Sequence, residues 1–453
     1  MRPTHKRNTM TYTRRLMTRA LRVYWILLLL VGEIGLFQYR IGSCKWPTTN
    51  TSSTQPTTVA IVADPQIVDH YSYDQTGLVL RVTEFFTDIY VRKAYRFLQT
   101  LRRPQHIVML GDLMDGGREW NDKQWEQEYR RYQSIFNLRD PRNTRVHSMA
   151  GNHDIGIGNT VVRGALARFH ARVGPTNVLL EDLGGHDLVL LDTLTLENDD
   201  PEVSHASRQL IQQLNTTLPP ERPRLLFSHV PLRRAAQTYC GPERQSAKKY
   251  LPDRQGYQFR DQLLQNTTDV LLNGIRPRAV FSGDDHDSCT VEHRINATAA
   301  QGASVATEYT VGAFGWASGV PVASYALLTL YPASRGVSEP EFRVQRCFLP
   351  YQLGIYKVYA ASFFATLIIV ATVCYTGSHA WHPAAAYGAG GYGQLIHDSA
   401  DMSLPLPLPA NMPQGRWSFS KRTCLLQMAY ILRDLFAVGL PTYIACLLFY
   451  YIF

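Results

Sequence analysis

Five short polar blocks, each placed at the end of an apolar run, constrain the fold of this chain more than any other feature. In chain order they are Asp64-Pro65-Gln66, Gly111-Asp112-Leu113-Met114-Asp115, Gly151-Asn152-His153-Asp154, Ser228-His229 and Gly283-Asp284-Asp285-His286. Short aliphatic and β-branched runs that end in Gly, Asp or Asn are typical of buried strands. Because open α/β sheets place their sites beyond the carboxyl ends of the strands, we expect the blocks to meet in one crevice.

Helical segments alternate with these strands along residues 58–332. Predicted helices occupy residues 78–101, 121–137, 161–173, 204–214 and 258–272, and further strands occupy residues 187–192, 307–311 and 325–330. Such alternation favours parallel strand pairing with the helices on the outside of the sheet. The sequence therefore predicts an α/β domain over this range.

The positive charge of the chain is concentrated at its N-terminus. The formal net charge is +9 over 453 residues, and seven basic residues with no acidic residue lie among the first 22. A nucleic-acid-binding protein gathers basic residues on a folded face, whereas the rest of this chain is nearly neutral. The composition therefore argues against a nucleic-acid partner.

Three apolar segments, at residues 23–41, 358–375 and 435–453, are long enough to cross a membrane. The first is predicted to be an uncleaved anchor, with a signal peptide as the alternative, because its basic flank is long and no small-x-small cleavage site stands out. The positive-inside rule places that flank in the cytosol and the folded domain in the lumen. The predicted order is a cytosolic tail (1–22), the anchor (23–41), a lumenal linker (42–57), the lumenal domain (58–332), a connector (333–357), a membrane helix (358–375), a cytosolic Gly/Pro-rich loop (376–434) and a last membrane helix (435–453).

Glycosylation sequons and cysteines agree with that topology. The four N-x-[ST] sequons fall between the first and second apolar segments, at Asn50, Asn215, Asn266 and Asn296. Four cysteines lie in the same region, where disulfides persist: Cys44, Cys240, Cys289 and Cys347. Three pairings of these cysteines are open, and a bridge from Cys289 would brace the last polar block.

The polar blocks contain the ligand types that a pair of divalent cations requires. Carboxylate, amide and imidazole groups from separate loops suit two ions that share one bridging carboxylate. Asp112, which follows a glycine, is the predicted bridge. The remaining candidates are Asp64, Asn152, His229, either Asp284 or Asp285, and His286. Occupancy by one ion and occupancy by two are both compatible with this pattern.

His153 and Asp154 are the candidate catalytic residues. A histidine beside the ions can donate a hydrogen bond to a phosphate or protonate a leaving alkoxide. The adjacent Asp154 is predicted to fix the tautomer of His153 and raise its basicity. The alternative is that both residues only cap the helix that follows.

In order and spacing, these blocks resemble the calcineurin-like metallophosphoesterase superfamily, whose pattern is D-x-H, G-D-x-x-D, G-N-H-[DE], a lone H and G-H-x-H. The resemblance covers about residues 59–330. It implies an α/β fold with two central β-sheets flanked by helices, and hydrolysis of phosphoric esters by metal-activated water. Gln66 and Asp284 stand where the pattern has histidines, and are expected to bind metal through oxygen. Oxygen ligands favour Mn²⁺ or Mg²⁺ over Zn²⁺, and members of this family are typically manganese-dependent.

Residues 110–117, 150–156 and 345–350 are similar to one membrane-bound, lumenal branch of that superfamily. This branch removes ethanolamine phosphate from the mannoses of GPI anchors in the early secretory pathway. The resemblance implies a phosphodiesterase of the endoplasmic reticulum membrane, or alternatively of the early Golgi, that acts on a GPI-anchored protein or GPI glycolipid. The mannose that is trimmed and the oligomeric state are left open. The alternatives are a non-catalytic metal-binding membrane protein of the secretory pathway and a metallophosphatase with another lumenal substrate.

Overall fold

The computed structural model describes residues 4–49, 55–73, 75–136, 144–216, 222–297, 302–333, 339–379 and 417–452. The chain divides into two compact units. The larger comprises Gly32–Ile355 with Leu447–Phe453, and the smaller comprises Met1–Val31 with Tyr356–Cys446. All five polar blocks belong to the larger unit.

The strands of the larger unit form two main sheets and one short hairpin. They are β1 (Thr57–Val62), β2 (His106–Leu110), β3 (Arg145–Met149), β4 (Val178–Leu183), β5 (His186–Leu190), β6 (Arg224–Phe227), β7 (Gln255–Gly256), β8 (Phe259–Arg260), β9 (Ala279–Ser282), β10 (Cys289–Ile295), β11 (Ser304–Thr310), β12 (Ser324–Tyr331) and β13 (Glu341–Phe348). The first sheet has the order β13-β12-β1-β2-β3, the second has the order β10-β11-β9-β6-β5-β4, and β7 pairs with β8. Strands β1, β2 and β3 are parallel, as are β5, β6, β9 and β11, which is the pairing that strand–helix alternation predicts.

Helices precede, follow and separate these strands. They are α1 (Thr4–Leu30), α2 (Leu36–Ser43), α3 (His70–Tyr73), α4 (Gly77–Phe97), α5 (Asp122–Phe136), α6 (Asn152–Ile155), α7 (Arg163–Arg172), α8 (Thr193–Leu196), α9 (Pro201–Thr216), α10 (Gln265–Ile275), α11 (Gln352–His379) and α12 (Trp417–Ile452). The predicted helix start at residue 121 is confirmed, because the Asn121 side-chain oxygen accepts a hydrogen bond of 3.0 Å from the amide of Gln124.

The two main sheets pack face to face. Their inner faces form one apolar cluster, to which the first sheet contributes residues such as Ile61 and Val108 and the second contributes residues such as Leu190 and Phe227. Helices cover the outer faces of the sheets, and a second apolar cluster, which includes Tyr90 of α4, lies between them. The predicted α/β sandwich with flanking helices is therefore confirmed.

Two predicted boundaries within the domain are wrong. The connector predicted over 333–357 contains β13, which pairs antiparallel with β12 from Ser324↔Phe348 to Tyr331↔Glu341. The polar residues that alternate along β13 suit an edge strand with one side toward solvent, which resembles a loop in composition. The helix predicted from residue 258 starts at Gln265, because the preceding residues form the β7–β8 hairpin.

The end of the predicted N-terminal anchor belongs to the folded domain rather than to the smaller unit. Phe37 and Ile41 are fully buried in the core cluster, and the Phe37 ring contacts the ring of Tyr90 at 5.3 Å between centroids. Glu33 forms a buried ion pair with Lys93 of α4. This ion pair explains why an acidic residue, Glu33, occurs within an apolar stretch, because a buried charge requires a partner.

Within the described ranges, three helical stretches are long and apolar enough to cross a membrane: Arg14–Ser43, Gln352–Tyr375 and Cys424–Phe449. The last begins earlier than predicted, and the predicted loop over 376–434 contains the first half of α12. In the smaller unit Asp434 pairs with Arg22 at 2.7 Å, which offsets the cost of an acid within the apolar stretch. The predicted glycine-rich part of the loop, residues 380–416, lies outside the described residues.

The four cysteines of the domain form two disulfides, which correspond to one of the three possible pairings. Cys44 is bonded to Cys347, which ties the segment after α2 to β13. Cys240 is bonded to Cys289, the residue at which β10 begins. The second bridge joins the loop after β6 to the start of β10, just beyond His286, as expected for a brace of the last polar block.

Candidate metal centre

The five polar blocks meet where the parallel strands of the two sheets end. Asp64 follows β1, Asp112 follows β2 and His229 follows β6. One ligand atom from each of these three residues lies within 4.8 Å of the others, and all three side chains are buried. Convergence of carboxylates and imidazole in a buried space is the arrangement expected of a metal centre.

The backbone at the strand ends is held in an uncommon conformation. Asp64, Asp112, Asp284 and His286 have positive φ angles of 45°, 50°, 63° and 64°. Non-glycine residues in this region are energetically disfavoured and cluster at functional sites. Here the left-handed turns direct side chains from separate strands toward one another.

Two glycines allow the ligands to approach. A β-carbon on Gly151 would lie 2.0 Å from Oδ1 of Asp112, and one on Gly111 would lie 2.3 Å from Nδ1 of His229. Any side chain at either position would collide with a candidate ligand. The glycines that precede Asp112 and Asn152 in the sequence are therefore needed for the close packing of the centre.

His229 is oriented for metal binding through one ring nitrogen. Nδ1 lies 2.7 Å from the carbonyl oxygen of Leu110, which fixes it as the donor. Nε2 is thereby left as the ligand atom, and it lies 3.1 Å from Oδ1 of Asn152, 3.3 Å from Oδ1 of Asp112 and 3.6 Å from Oδ1 of Asp284. A backbone partner of this kind is a common way of orienting a metal-binding histidine.

Asn152 presents its oxygen to the centre. Its Nδ2 donates a hydrogen bond of 3.0 Å to the carbonyl oxygen of Gln258, so Oδ1 faces His229. Arg118, buried beside it, donates to the carbonyl oxygen of Asn152 at 2.9 Å and to the side chain of Gln258. The sequence analysis missed Arg118 and Gln258, because neither belongs to a polar block and only the tertiary fold brings them here.

The structure distinguishes the two aspartates of the last block. Asp284 lies against His229, and its amide donates to both carboxylate oxygens of Asp64 at 3.1 Å. Asp285 instead forms an ion pair with the buried Arg244. The geometry therefore favours Asp284 over Asp285 as the candidate ligand.

Gln66 and His286 line a cavity of about 370 Å³ next to the cluster. Nδ1 of His286 lies 2.9 Å from the carbonyl oxygen of Ser318, which leaves Nε2 as the possible ligand atom. Nε2 of Gln66 donates to Oδ1 of Asp115 at 2.5 Å, which leaves Oε1 as its only atom able to bind a cation. His286 is not a member of the tight Asp64–Asp112–His229 cluster.

His153 also lines this cavity, and the carboxylate that contacts it corrects the sequence analysis. Nδ1 of His153 lies 2.9 Å from Oδ1 and 2.7 Å from the carbonyl oxygen of Asp115. The predicted partner, Asp154, points elsewhere and accepts hydrogen bonds from the amides of Gly151 and Leu113. Adjacent side chains on a helical turn point in different directions, so Asp154 turns away from the ring of His153. Asp115 belongs to a different loop, the one after β2, and the fold brings its carboxylate to that ring.

The protonation of His153 follows from its surroundings. Burial alone would lower the pKa of His153, but the carboxylates of Asp112 and Asp115 outweigh it and raise the pKa to about 9. The ring also lies 6.3 Å from the ring of Tyr71, measured between centroids. This imidazole is therefore positioned at the cavity wall with a proton to donate.

The electrostatics of the cluster favour divalent cations. Burial, reinforced by the charge of Asp112, raises the pKa of Asp64 well above its ordinary range. Burial likewise raises the pKa of Asp284 to about 7. The negative charge of three carboxylates exceeds the positive charge that one imidazole can carry, and bound cations would balance it. The donor set of oxygen and imidazole nitrogen fits such ions.

Comparisons with known proteins agree with this chemistry. The sequence profile of the family described as Calcineurin-like phosphoesterase matches residues 57–288. Cell division control protein 1 of Saccharomyces cerevisiae (strain ATCC 204508 / S288c) is 37% identical over 330 residues, which cover 69% of this chain and 66% of that protein, just under two thirds of its length. Metallophosphoesterase 1 of Ailuropoda melanoleuca is 27% identical over 364 residues, which cover 75% of this chain and 85% of that protein. A solved structure titled "GAP50 the anchor in the inner membrane complex of Plasmodium" covers 68% of this chain and 95% of its own at 12% identity, with a TM-score of 0.38.

Proposed function

Since this chain belongs to the calcineurin-like phosphoesterase family and is a metal-dependent phosphoesterase, we propose that it is a phosphodiesterase that removes ethanolamine phosphate from a mannose of GPI anchors. The buried Asp64–Asp112–His229 cluster is the observation that carries the hydrolytic part of this proposal. The substrate is supported by the resemblance of three sequence segments to the GPI-remodelling branch and by the helices that are able to span a membrane.

We assign two divalent cations, most favourably Mn²⁺, to the centre. Asp64, Gln66 and His286 would hold one ion, Asn152, His229 and Asp284 the other, and Asp112 would bridge them. This predominance of oxygen ligands favours Mn²⁺ or Mg²⁺ over Zn²⁺. When bound, such ions neutralise phosphoryl oxygens and make water more acidic.

The residues of the chain itself bind, orient and donate a proton. His153, held by Asp115, faces the cavity and would donate its proton to the leaving mannose oxygen. Asp154 supports this step indirectly, because its carboxylate fixes the amides of the two loops that carry Asp112 and His153. The left-handed backbone at Asp64 and Asp112 fixes the ligands before substrate arrives.

The proposed location is the endoplasmic reticulum membrane, with the catalytic domain in the lumen and the early Golgi as the alternative compartment. Two disulfides in the larger unit favour an oxidising compartment. Asn215, Asn266 and Asn296 are exposed and open to glycosylation, whereas Asn50 lies outside the described residues. An active site tethered to a membrane meets a lipid-anchored substrate at high effective concentration.

Asp112→Asn tests the hydrolytic part of the proposal. Loss of the bridging charge should lower hydrolysis of a soluble phosphodiester by about a thousandfold in the presence of Mn²⁺, equivalent to about 4 kcal/mol of transition-state stabilisation. Asp122→Asn is the matched control, since that side chain is 89% exposed on α5. Equal activity of Asp112→Asn and Asp122→Asn would overturn the metal assignment.

The substrate is tested separately in cells that lack the protein. The glycan mass of their GPI anchors should rise by one ethanolamine phosphate, and fragmentation would locate it on one mannose. Unchanged glycans together with Mn²⁺-dependent hydrolysis in vitro would favour a metallophosphatase with another lumenal substrate. Metal binding without turnover on either substrate would favour a non-catalytic metal-binding protein.

A further inference from the structure

The β7–β8 hairpin sends one polar side chain into the interior of the domain. Over residues 253–259, all of which the structure describes, Gln258 is the buried residue at 3% exposure, whereas its neighbours Tyr257 and Phe259 are 78% and 42% exposed. Gln258 lies between β7 and β8 with a φ angle of 58°, in the left-handed region that costs a non-glycine residue energy. A buried polar residue at the tip of an exposed hairpin requires partners inside the domain.

Both partners of Gln258 belong to the metal centre. Its carbonyl oxygen accepts a hydrogen bond of 3.0 Å from Nδ2 of Asn152, and its Oε1 accepts one from Nε of Arg118. The first bond fixes the Asn152 amide so that Oδ1, the candidate ligand atom, lies 3.1 Å from Nε2 of His229. A residue 106 positions away in the chain therefore decides which atom of Asn152 faces the centre.

Arg118 connects the hairpin to two other segments at the centre. Its Nη1 donates to the carbonyl oxygen of Asn152 at 2.9 Å, and its Nη2 donates to the hydroxyl of Tyr71 at 3.1 Å. The main-chain amide of Arg118 donates to the carbonyl oxygen of His153 at 2.9 Å. One buried residue thus joins the loop after β2, the turn that carries Asn152 and His153, and the hairpin.

The donors of Arg118 are directed at the protein itself. Each of its three guanidinium nitrogens donates to a protein acceptor, and the side chain is only 5% exposed. Glu119 provides a counter-charge at 3.3 Å from Nε. An arginine that clamps a phosphate presents two parallel N–H donors to that group. The contacts of Arg118 are instead those of a residue that acts through its neighbours.

We propose that Arg118 and Gln258 are positioning residues that set the affinity of the centre for the cation assigned to Asn152, His229 and Asp284. Gln258 orients the amide of Asn152, and Arg118 holds both Gln258 and the main chain of Asn152 in place. Groups that orient a metal ligand in this way contribute about 10- to 100-fold to metal affinity. This role rests on the cation assignment of the proposed function, and it makes the β7–β8 hairpin part of the metal centre.

The ligands assigned to the other cation are held by different contacts. Nδ1 of His286 lies 2.9 Å from the carbonyl oxygen of Ser318, and Nε2 of Gln66 donates to Asp115. These contacts do not involve the hairpin. Loss of the Gln258 side chain should therefore weaken the binding of one cation more than that of the other.

Mn²⁺ binding to the detergent-purified full chain tests the proposal, with free Mn²⁺ followed by electron paramagnetic resonance. Gln258→Gly removes the side chain but still allows the left-handed φ angle, and Arg118→Lys keeps the charge but loses the planar fork. Both variants should bind one of two Mn²⁺ ions about 10- to 100-fold more weakly than the parent. Gln258→Glu, which keeps an acceptor for Arg118, should restore the affinity to within severalfold. Tyr257→Ala, exposed on the same hairpin, is the matched control.

Mn²⁺ affinity in Gln258→Gly equal to that in Tyr257→Ala would overturn the proposal. A purely structural role would lower the melting temperature of metal-free Gln258→Gly and weaken both ions alike, and that result would also overturn it. Normal Mn²⁺ affinity with a raised KM for a soluble phosphodiester in Arg118→Lys would do the same, in favour of phosphate binding by Arg118. A parent chain that binds no Mn²⁺ would overturn the cation assignment as well, whereas two ions bound equally well by parent and Gln258→Gly would overturn only the positioning role.

Discussion

At the metal centre, a buried carboxylate fixes the loops of each sheet. The two carboxylates differ in their partners, which are main-chain amides in the first sheet and include a buried guanidinium in the second. In the first sheet, Asp154 accepts hydrogen bonds from the amides of Gly151, Leu113 and Met114 at 2.9, 3.1 and 3.3 Å. It thereby joins the loops that follow β2 and β3. Burial, reinforced by the charge of Asp112, raises the pKa of Asp154 to about 7.

Glu308, in β11, has a comparable role in the second sheet. It accepts hydrogen bonds from the amide of Leu232 at 3.1 Å and from the hydroxyl of Ser282 at 2.7 Å, and so joins the loop that follows β6 to the end of β9. It is also ion-paired with Arg234 at 2.8 Å and hydrogen-bonded to Nε2 of His293 at 2.6 Å. Burial alone would raise the pKa of Glu308, but these partners outweigh it and lower the pKa to about 2.

The two pairs of loops therefore differ in the interaction that holds them together. A carboxylate that accepts mainly from main-chain amides can be replaced by a neutral acceptor at moderate cost. A carboxylate that neutralises a buried guanidinium cannot, because its removal leaves an unpaired charge. The loops that carry His229 and Asp284 should therefore depend on charge, and the loops that carry Asp112 and His153 on hydrogen-bond geometry.

Glu308→Gln should have the largest effect on stability. It leaves Arg234 buried without its counter-charge and should lower the free energy of unfolding by about 3–5 kcal/mol. Thermal unfolding of the detergent-purified protein measures this loss. Glu292→Gln, on the exposed side of the adjacent β10, is the control. A melting temperature equal to that of the control would show that the ion pair does not stabilise the fold.

The pH dependence of stability should reveal the same carboxylate. Because the folded pKa of Glu308 is lowered from its ordinary value of 4.5 to about 2, its contribution is fully present above 4.5 and is lost as pH falls toward 2. The expected loss is about 3 kcal/mol, from the size of the shift. Chemical denaturation at several pH values should show the parent and Glu308→Gln converging as the solution becomes acidic. A constant difference between them would contradict this.

Asp115→Asn should affect activity more than stability. An amide cannot hold the protonated His153 as a carboxylate does, and loss of such an orienting contact costs about 10- to 100-fold in activity. The expected result for a soluble phosphodiester is a lower kcat and an alkaline limb of the pH profile displaced to lower pH, because His153 loses its proton more readily without the charge of Asp115. If Asp154→Asn displaced that profile more strongly than Asp115→Asn, Asp154 would be the partner of His153 after all.

Asp154→Asn should have the smallest effect. One amide oxygen replaces two carboxylate oxygens, so part of the hydrogen bonding to the loop amides is lost at about 1–2 kcal/mol. The unfolding transition should shift by less than that of Glu308→Gln under the same conditions. A larger shift than that of Glu308→Gln would reverse the proposed difference between the two loop pairs.

Local sequence patterns were sufficient to predict much of the fold. The apolar runs before Asp64 and Asp112 are strands β1 and β2, and the cap at Asn121 begins a helix. Each of these features depends on residues close in the chain. The connector was predicted incorrectly, because a solvent-facing edge strand such as β13 is distinguished from a loop mainly by its pairing with β12.

The sequence by itself determined which residue types gather at strand ends, and so the five blocks and the candidate ligands Asp64, Asp112 and His229. Only the tertiary structure decided which of two acids, Asp115 or Asp154, contacts His153. It also decided that the end of the first apolar segment packs into the domain core. The reason is physical. Strand ends depend on the local sequence pattern, whereas the contacts of a side chain depend on how the fold brings distant segments of the chain together.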